Sequence, residues 1–175
     1  MTPAAFELSA EDLRVVAGYV ATAAEALLPL YEAVHPGDTR ARDAVAAAWL
    51  FVNGARRTRL QRTASMDAHR AAAGATDEVA RLDAQAASDA ASAAYLHPIA
   101  KAHQVGHILR ADANAARIAE IAAGPDAAHD AIERAAHRAT PELREILRRY
   151  PPAPAGRSRT AQLMAILDGE LRATP

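Results

Sequence analysis

Four of the seven histidines fall between Asp67 and Asn114, at His69, His97, His103 and His107, so the residues able to do chemistry gather in one segment. His103 and His107 stand at i and i+4, a spacing that puts two imidazoles on one helix face within reach of a single metal ion. Two ligands are too few, and the chain has no Cys to complete a set. Further ligands would have to come from elsewhere: His97 across a bend at Pro98, His69 or Asp67 from the preceding helices. The same face supports a second chemistry. His103, His107, Arg110, Asn114 and Arg117 project to one narrow strip, rich in donors and with no carboxylate among them. Such a strip suits a carboxylate, a phosphate or an acidic protein surface, and it also suits a plain solvated helix face. His107, which titrates near neutral pH, is the candidate general acid or base. Asp67 and His69 lie two apart on a helix, so they point to different sides and do not pair with each other.

The elements that must position these residues read as helices. Ser9 and Asp12 form a capping pattern ahead of Leu13, Val16, Val20, Ala24, Leu27 and Tyr31, with Pro29 predicting a kink or an early stop. Asp38 is the expected cap of a second helix, closed by Asn53-Gly54. An Ala stripe from Leu60 to Ala93 predicts helix from Thr58 to Tyr95, broken at Gly74 with Thr76 as the next cap. Pro98 is the expected first residue of a central helix running to about Ala123, with Gly106 marking a close approach to its backbone. Asp126 and Thr140 are the expected caps of two more helices. A Pro-rich linker at 151–156 then precedes a last helix capped by Ser158. The chain thus reads as all-α: one domain over 1–175, a bundle of about seven or eight Ala-rich helices.

Composition agrees and excludes several functions. Ala accounts for 49 of the 175 residues, which favours helix, while only 4% of the chain is aromatic. The absence of Cys rules out disulfides, zinc knuckles and iron–sulfur ligation. A net charge of −1 and the scarcity of aromatics oppose nucleic acid as a partner, so Arg56, Arg57, Arg59 and Arg62 read as a solvated helix start. The stretch from Met1 to Leu13 has no cationic patch before an apolar run, and Val15 to Leu30, interrupted by Glu25, is short for a membrane span. The expected location is therefore the cytoplasm, with no membrane partner. Neither a phosphate-binding glycine loop nor a nucleophile elbow is present.

One segment is more specific. Ala94-Tyr95-Leu96-His97-Pro98-Ile99-Ala100, continuing with Gln104-Val105-Gly106-His107-Ile108-Leu109-Arg110-Ala111, resembles the actinobacterial "putative immunity protein" family, an immunity-protein-like all-helical family. Phe6-Glu7-Leu8-Ser9 with Asp12-Leu13-Arg14, Leu60-Gln61-Arg62 with Asp67-Ala68-His69-Arg70, Arg148-Arg149-Tyr150-Pro151 and Gly156-Arg157-Ser158 fit as well. The resemblance implies a small helical protein that neutralises a toxin by binding it. Asp67, His69, His97, Gln104, His107 and Arg110 match the family pattern. His103 departs from it, since Thr is common there, and this weakens the His103–His107 pair. The expected binding residues are therefore His97, Gln104, His107, Arg110 and Asn114, with His107 and Asp67 as catalytic candidates. An alternative is a small His-centred enzyme or metal-binding protein, in secondary metabolism, in which His69, His97 and His107 meet beneath the Pro98 bend. No cofactor is firmly implied, although a divalent metal fits that alternative and a small anionic ligand fits the Arg110 strip.

Overall fold

The computed structural model describes residues 6–173. Met1 to Ala5, part of the stretch read for a leader, lie outside them. Eight α-helices form among the described residues, with no strand. The first, α1 (Ala10–Val34), begins with the expected capping box: Asp12 N donates to Ser9 Oγ, and Ser9 N donates to the Asp12 carboxylate, both at 3.0 Å. It does not stop at Pro29. Pro29 has no N–H to give and its ring crowds the preceding turn. Two residues on, the Tyr31 N–H is taken by the Asp83 carboxylate from another helix at 3.0 Å. A buried side chain thus inserts into the helix ladder at this point. α1 is long and apolar enough to cross a membrane, yet it is a central helix of the bundle, with Val16, Ala17, Val20 and Ala24 wholly buried.

α2 (Arg40–Val52) follows Thr39 rather than Asp38. The Asp38 carboxylate accepts the Arg40 backbone N–H at 3.1 Å, so it still serves the first turn of α2, and it also takes Tyr31 Oη at 2.6 Å and the Arg40 guanidinium, bracing the α1–α2 corner. Asn53 and Gly54 close α2 as expected, Gly54 at a φ of +100° that other residues rarely adopt. α3 (Arg59–Gly74) starts from Thr58 and ends at Gly74. The break was legible, but the cap of α4 (Glu78–Ser92) is Asp77, not Thr76: its carboxylate accepts from Ala80 N at 2.8 Å, where a full negative charge also complements the helix dipole.

The largest departure lies after α4. No helix starts at Pro98. A short 3₁₀ turn (Ala93–Tyr95) leads into an extended segment, then a second 3₁₀ turn (Ala102–Val105), and only then α5 (Gly106–Ala123). The reason is competition for backbone groups. Tyr150 Oη donates to the His97 carbonyl at 2.9 Å, Phe6 N donates to the Pro98 carbonyl at 3.2 Å, and the Gln104 side chain takes the His97 N–H at 3.2 Å. Tertiary partners occupy the groups that a helical first turn would use.

α5 is joined to α6 (Pro125–Arg138) through Gly124 at a φ of +89°, with Pro125 rather than Asp126 opening the new helix. Thr140 caps α7 (Pro141–Arg148), and Ser158 Oγ accepts from Ala161 N at the start of α8 (Arg159–Ala173). Helices α1, α4 and α5 pack mutually as the core; α2 and α3 cover α4 on one side, and α6 and α8 cover α5 on the other. Wherever α4 meets its neighbours the contact is mostly Ala: Ala80, Ala84, Ala86, Ala87, Ala90 and Ala91 are all fully buried. Small side chains let the axes approach, and dispersion in tight packing replaces the area that Leu would bury.

Candidate functional site

Into this Ala-lined core α4 carries two carboxylates, Asp83 and Asp89, and each is committed to a partner. Asp89, 2% exposed, receives Arg110 from α5 in a two-pronged pair, Nε at 2.8 Å and NH2 at 2.5 Å. The pairing is what lets both ions sit there, since a buried charge without a partner is costly. The polar strip on α5 therefore does not lack a carboxylate; the neighbouring helix supplies it. This correction has a simple origin, because a helix projection shows only its own residues. The Asp89 pair holds the Arg110 guanidinium above its ordinary range.

His107, one turn before Arg110, is half-buried. Its Nδ1 lies 3.4 Å from Ser92 Oγ and 3.9 Å from Asp89 Oδ1. Burial pushes its pKa down; Asp89 opposes this, while Arg110, His103 and His97 add to it. Ser92, His107 and Asp89 are the residue types of a nucleophilic triad, but hydroxyl and carboxylate both face the same ring nitrogen. A relay needs one on each nitrogen, so the three do not form one.

His97 and His107 line one cavity of about 240 Å³, together with Arg62, Ser65, Ser92 and Tyr95. The expected convergence of these two histidines is thus present, brought about by the extended segment rather than by a bend in a helix. His69 is not part of it: it is exposed on α3. Asp67, ion-paired with Arg70 at 2.6 Å, lines a separate groove between α2 and α3 beside Leu50 and Leu60. Among the described residues no group of three or more His, Cys, Asp or Glu side chains could hold a metal ion. Gln104 is buried, accepting from the His97 N–H and pairing through Nε2 with His103 Nε2 at 2.8 Å. It holds the His97 turn in place and is turned away from solvent. Asn114 is wholly buried, its amide donating to the Leu82 carbonyl and to Gln85. Gln104 acts by positioning the His97 segment and Asn114 by tying α5 to α4, which a binding role read from the strip does not anticipate.

Three members of the site escaped the sequence reading. Asp89 and Ser92 were hidden by the Ala stripe, although a carboxylate in a run as apolar as Ala84–Ala94 is itself a signal of a buried partner. Tyr95 is clasped between the guanidinium groups of Arg57 and Arg62, each carbon 4.8 Å from the ring centroid, while its hydroxyl donates to the Thr58 carbonyl at 2.7 Å. Arg57 also reaches the Ala94 carbonyl at 2.9 Å. The basic corner is therefore a built structure around an aromatic ring and not simply a solvated helix start. Met66, 51% exposed, completes the rim of the cavity.

No curated protein and no solved structure matches the chain. A family model does, that of the "Imm-5 like putative immunity protein", over residues 7–142, a span that holds α1 to α6 and the whole of the His97–His107 cavity. By that match, over well more than half its length, the chain belongs to the Imm-5 like immunity-protein family.

Proposed function

We propose that this protein acts as an immunity protein by binding a toxin in the cytoplasm and blocking it, and that it docks through the face around Tyr95. The observation that carries this reading is the Arg57–Tyr95–Arg62 clasp beside an exposed Met66 and the two half-open histidines. Arg, Tyr and Met are the residue types that anchor protein interfaces, because they bury large area and still offer hydrogen bonds. Here they are rigid before binding, so little entropy is lost on docking. The family supports an immunity role in general.

The test is protection of cells that express any toxin found encoded beside this chain. Wild-type chain should restore growth and co-purify with the toxin. Met66→Asp, at an exposed position, should abolish both while its melting temperature stays close to wild type. Growth arrest in the presence of folded wild-type chain would overturn the reading. The His-centred alternative rests on His97 and His107 sharing one cavity. It predicts a stoichiometric divalent metal in protein purified without a tag or chelator, lost in His107→Ala.

A further inference from the structure

A second cavity, of about 490 Å³, opens between α4, α5 and the start of α8. Its lining includes four arginines from three helices: Arg81 on α4, Arg110 and Arg117 on α5, and Arg159 on α8. Leu82 and Met164, both largely buried, are its apolar lining. Three of the guanidinium groups are fixed by carboxylates. Arg110 is held by Asp89, Arg117 by Glu78 at 3.2 Å and Glu120 at 2.8 Å, and Arg159 by Glu120 at 2.7 Å. The two cations hold the Glu120 carboxyl down at about 2, so it stays charged and keeps them in place, with Arg159 the larger influence. These pairs leave donors over: Arg110 NH1 and Arg117 NH2 have no hydrogen-bond partner among the described residues, nor has the guanidinium of Arg81.

We propose that this cleft binds a small phosphate-bearing ligand with more than one phosphate group. Fixed guanidinium forks match phosphate oxygens in pairs, and the first turn of α8 lines the same cleft at Ser158, Thr160 and Ala161. The volume falls within the range of small-molecule sites and exceeds what one phosphate would fill. Asp89 and Glu120 are largely buried against their arginines and do not line the cleft, while Glu78 lines it and is paired with Arg117. Arg81 supplies the unneutralised charge. Half of this cleft, Arg159 and Met164, lies beyond the segment that the family model matches, so the site is a property of this chain's own C-terminal helix. It is independent of the toxin-docking face, since Arg81, Arg117 and Arg159 take no part in the His97–His107 cavity.

The test is calorimetric titration of the full chain with tripolyphosphate, and with citrate as a carboxylate of similar charge. Tripolyphosphate should bind one to one, and Arg81→Glu should weaken it by about tenfold or more, a charge reversal that removes one fork and adds repulsion. Arg81 is exposed and contacts no partner, so that variant should melt with the wild type. Arg56→Glu, an equal charge change outside the cleft, should leave the affinity unchanged. No binding of tripolyphosphate would overturn the proposal. So would equal losses in Arg81→Glu and Arg56→Glu, which would mean unspecific attraction, or citrate binding as tightly as tripolyphosphate.

Discussion

Asp83 shows how a single residue can set the pH response of a fold. It is wholly buried; one carboxylate oxygen holds the Tyr31 N–H, and the other has no partner. Burial drives its pKa up to about 7, the Tyr31 N–H pulls the other way, and Glu32 adds to the rise. A carboxyl raised in the folded state binds a proton that the unfolded chain has already released. Its contribution to stability is therefore complete below the ordinary carboxylate range and is lost as pH rises towards 7. Asp83→Asn cannot titrate. The difference in unfolding free energy between wild type and Asp83→Asn should fall by up to about 4 kcal/mol from pH 4 to pH 7 and then stay level. Denaturant unfolding of both proteins across that range measures it, and a difference independent of pH would refute it.

At the scale of the element, the packing of α4 is governed by the smallness of its residues. Ala93 closes α4, is fully buried, and sits where the chain turns into the segment that carries Tyr95 and His97. Ala93→Leu should overpack this corner and cost about 1–3 kcal/mol. The strain should also be felt at the site, because Tyr95 and His97 are placed by that turn. A melting temperature unchanged from wild type would show the corner to be looser than its burial implies. The extended segment after it holds by short local backbone turns together with side-chain and remote backbone bonds. Gln104→Ala would leave the part-buried His97 N–H without its side-chain acceptor, at a cost of about 1 kcal/mol. Faster hydrogen exchange at His97 in Gln104→Ala, with α1 unaffected, is the expected signature.

For the whole molecule, the question is what the last helix contributes. The family match ends at residue 142, yet α8 buries Leu163, Leu167 and Leu171 against α5 and α6, and Arg172 ties it to the Leu147, Tyr150 and Pro151 carbonyls. Each fully buried Leu is worth about 1.5–3 kcal/mol, against a typical total stability of about 5–15 kcal/mol. A chain ended before Gly156 should therefore lose its cooperative thermal transition, read by circular dichroism, although the whole family segment is intact. A sharp transition near the wild-type temperature would show α8 to be an appendage.

Sequence alone determined the class of fold, because Ala content, capping residues and three-to-four spacing are local properties and every helix here is a local object. The capping box at Ser9, the break at Gly74, the Thr140–Pro141 start and the Pro-rich 151–156 connection all follow from neighbours in the chain. Convergence of His97 with His107 was also legible in outline. What tertiary structure alone decided was every feature that depends on competition between distant groups. Tyr150, Phe6 and Gln104 take the backbone bonds that a helix at Pro98 would need. Asp89 neutralises Arg110 from another helix, and His69 and Asp67 end on other surfaces. Spacing along the chain fixes which residues share a face; which faces meet is fixed by packing, and a site is made where faces meet.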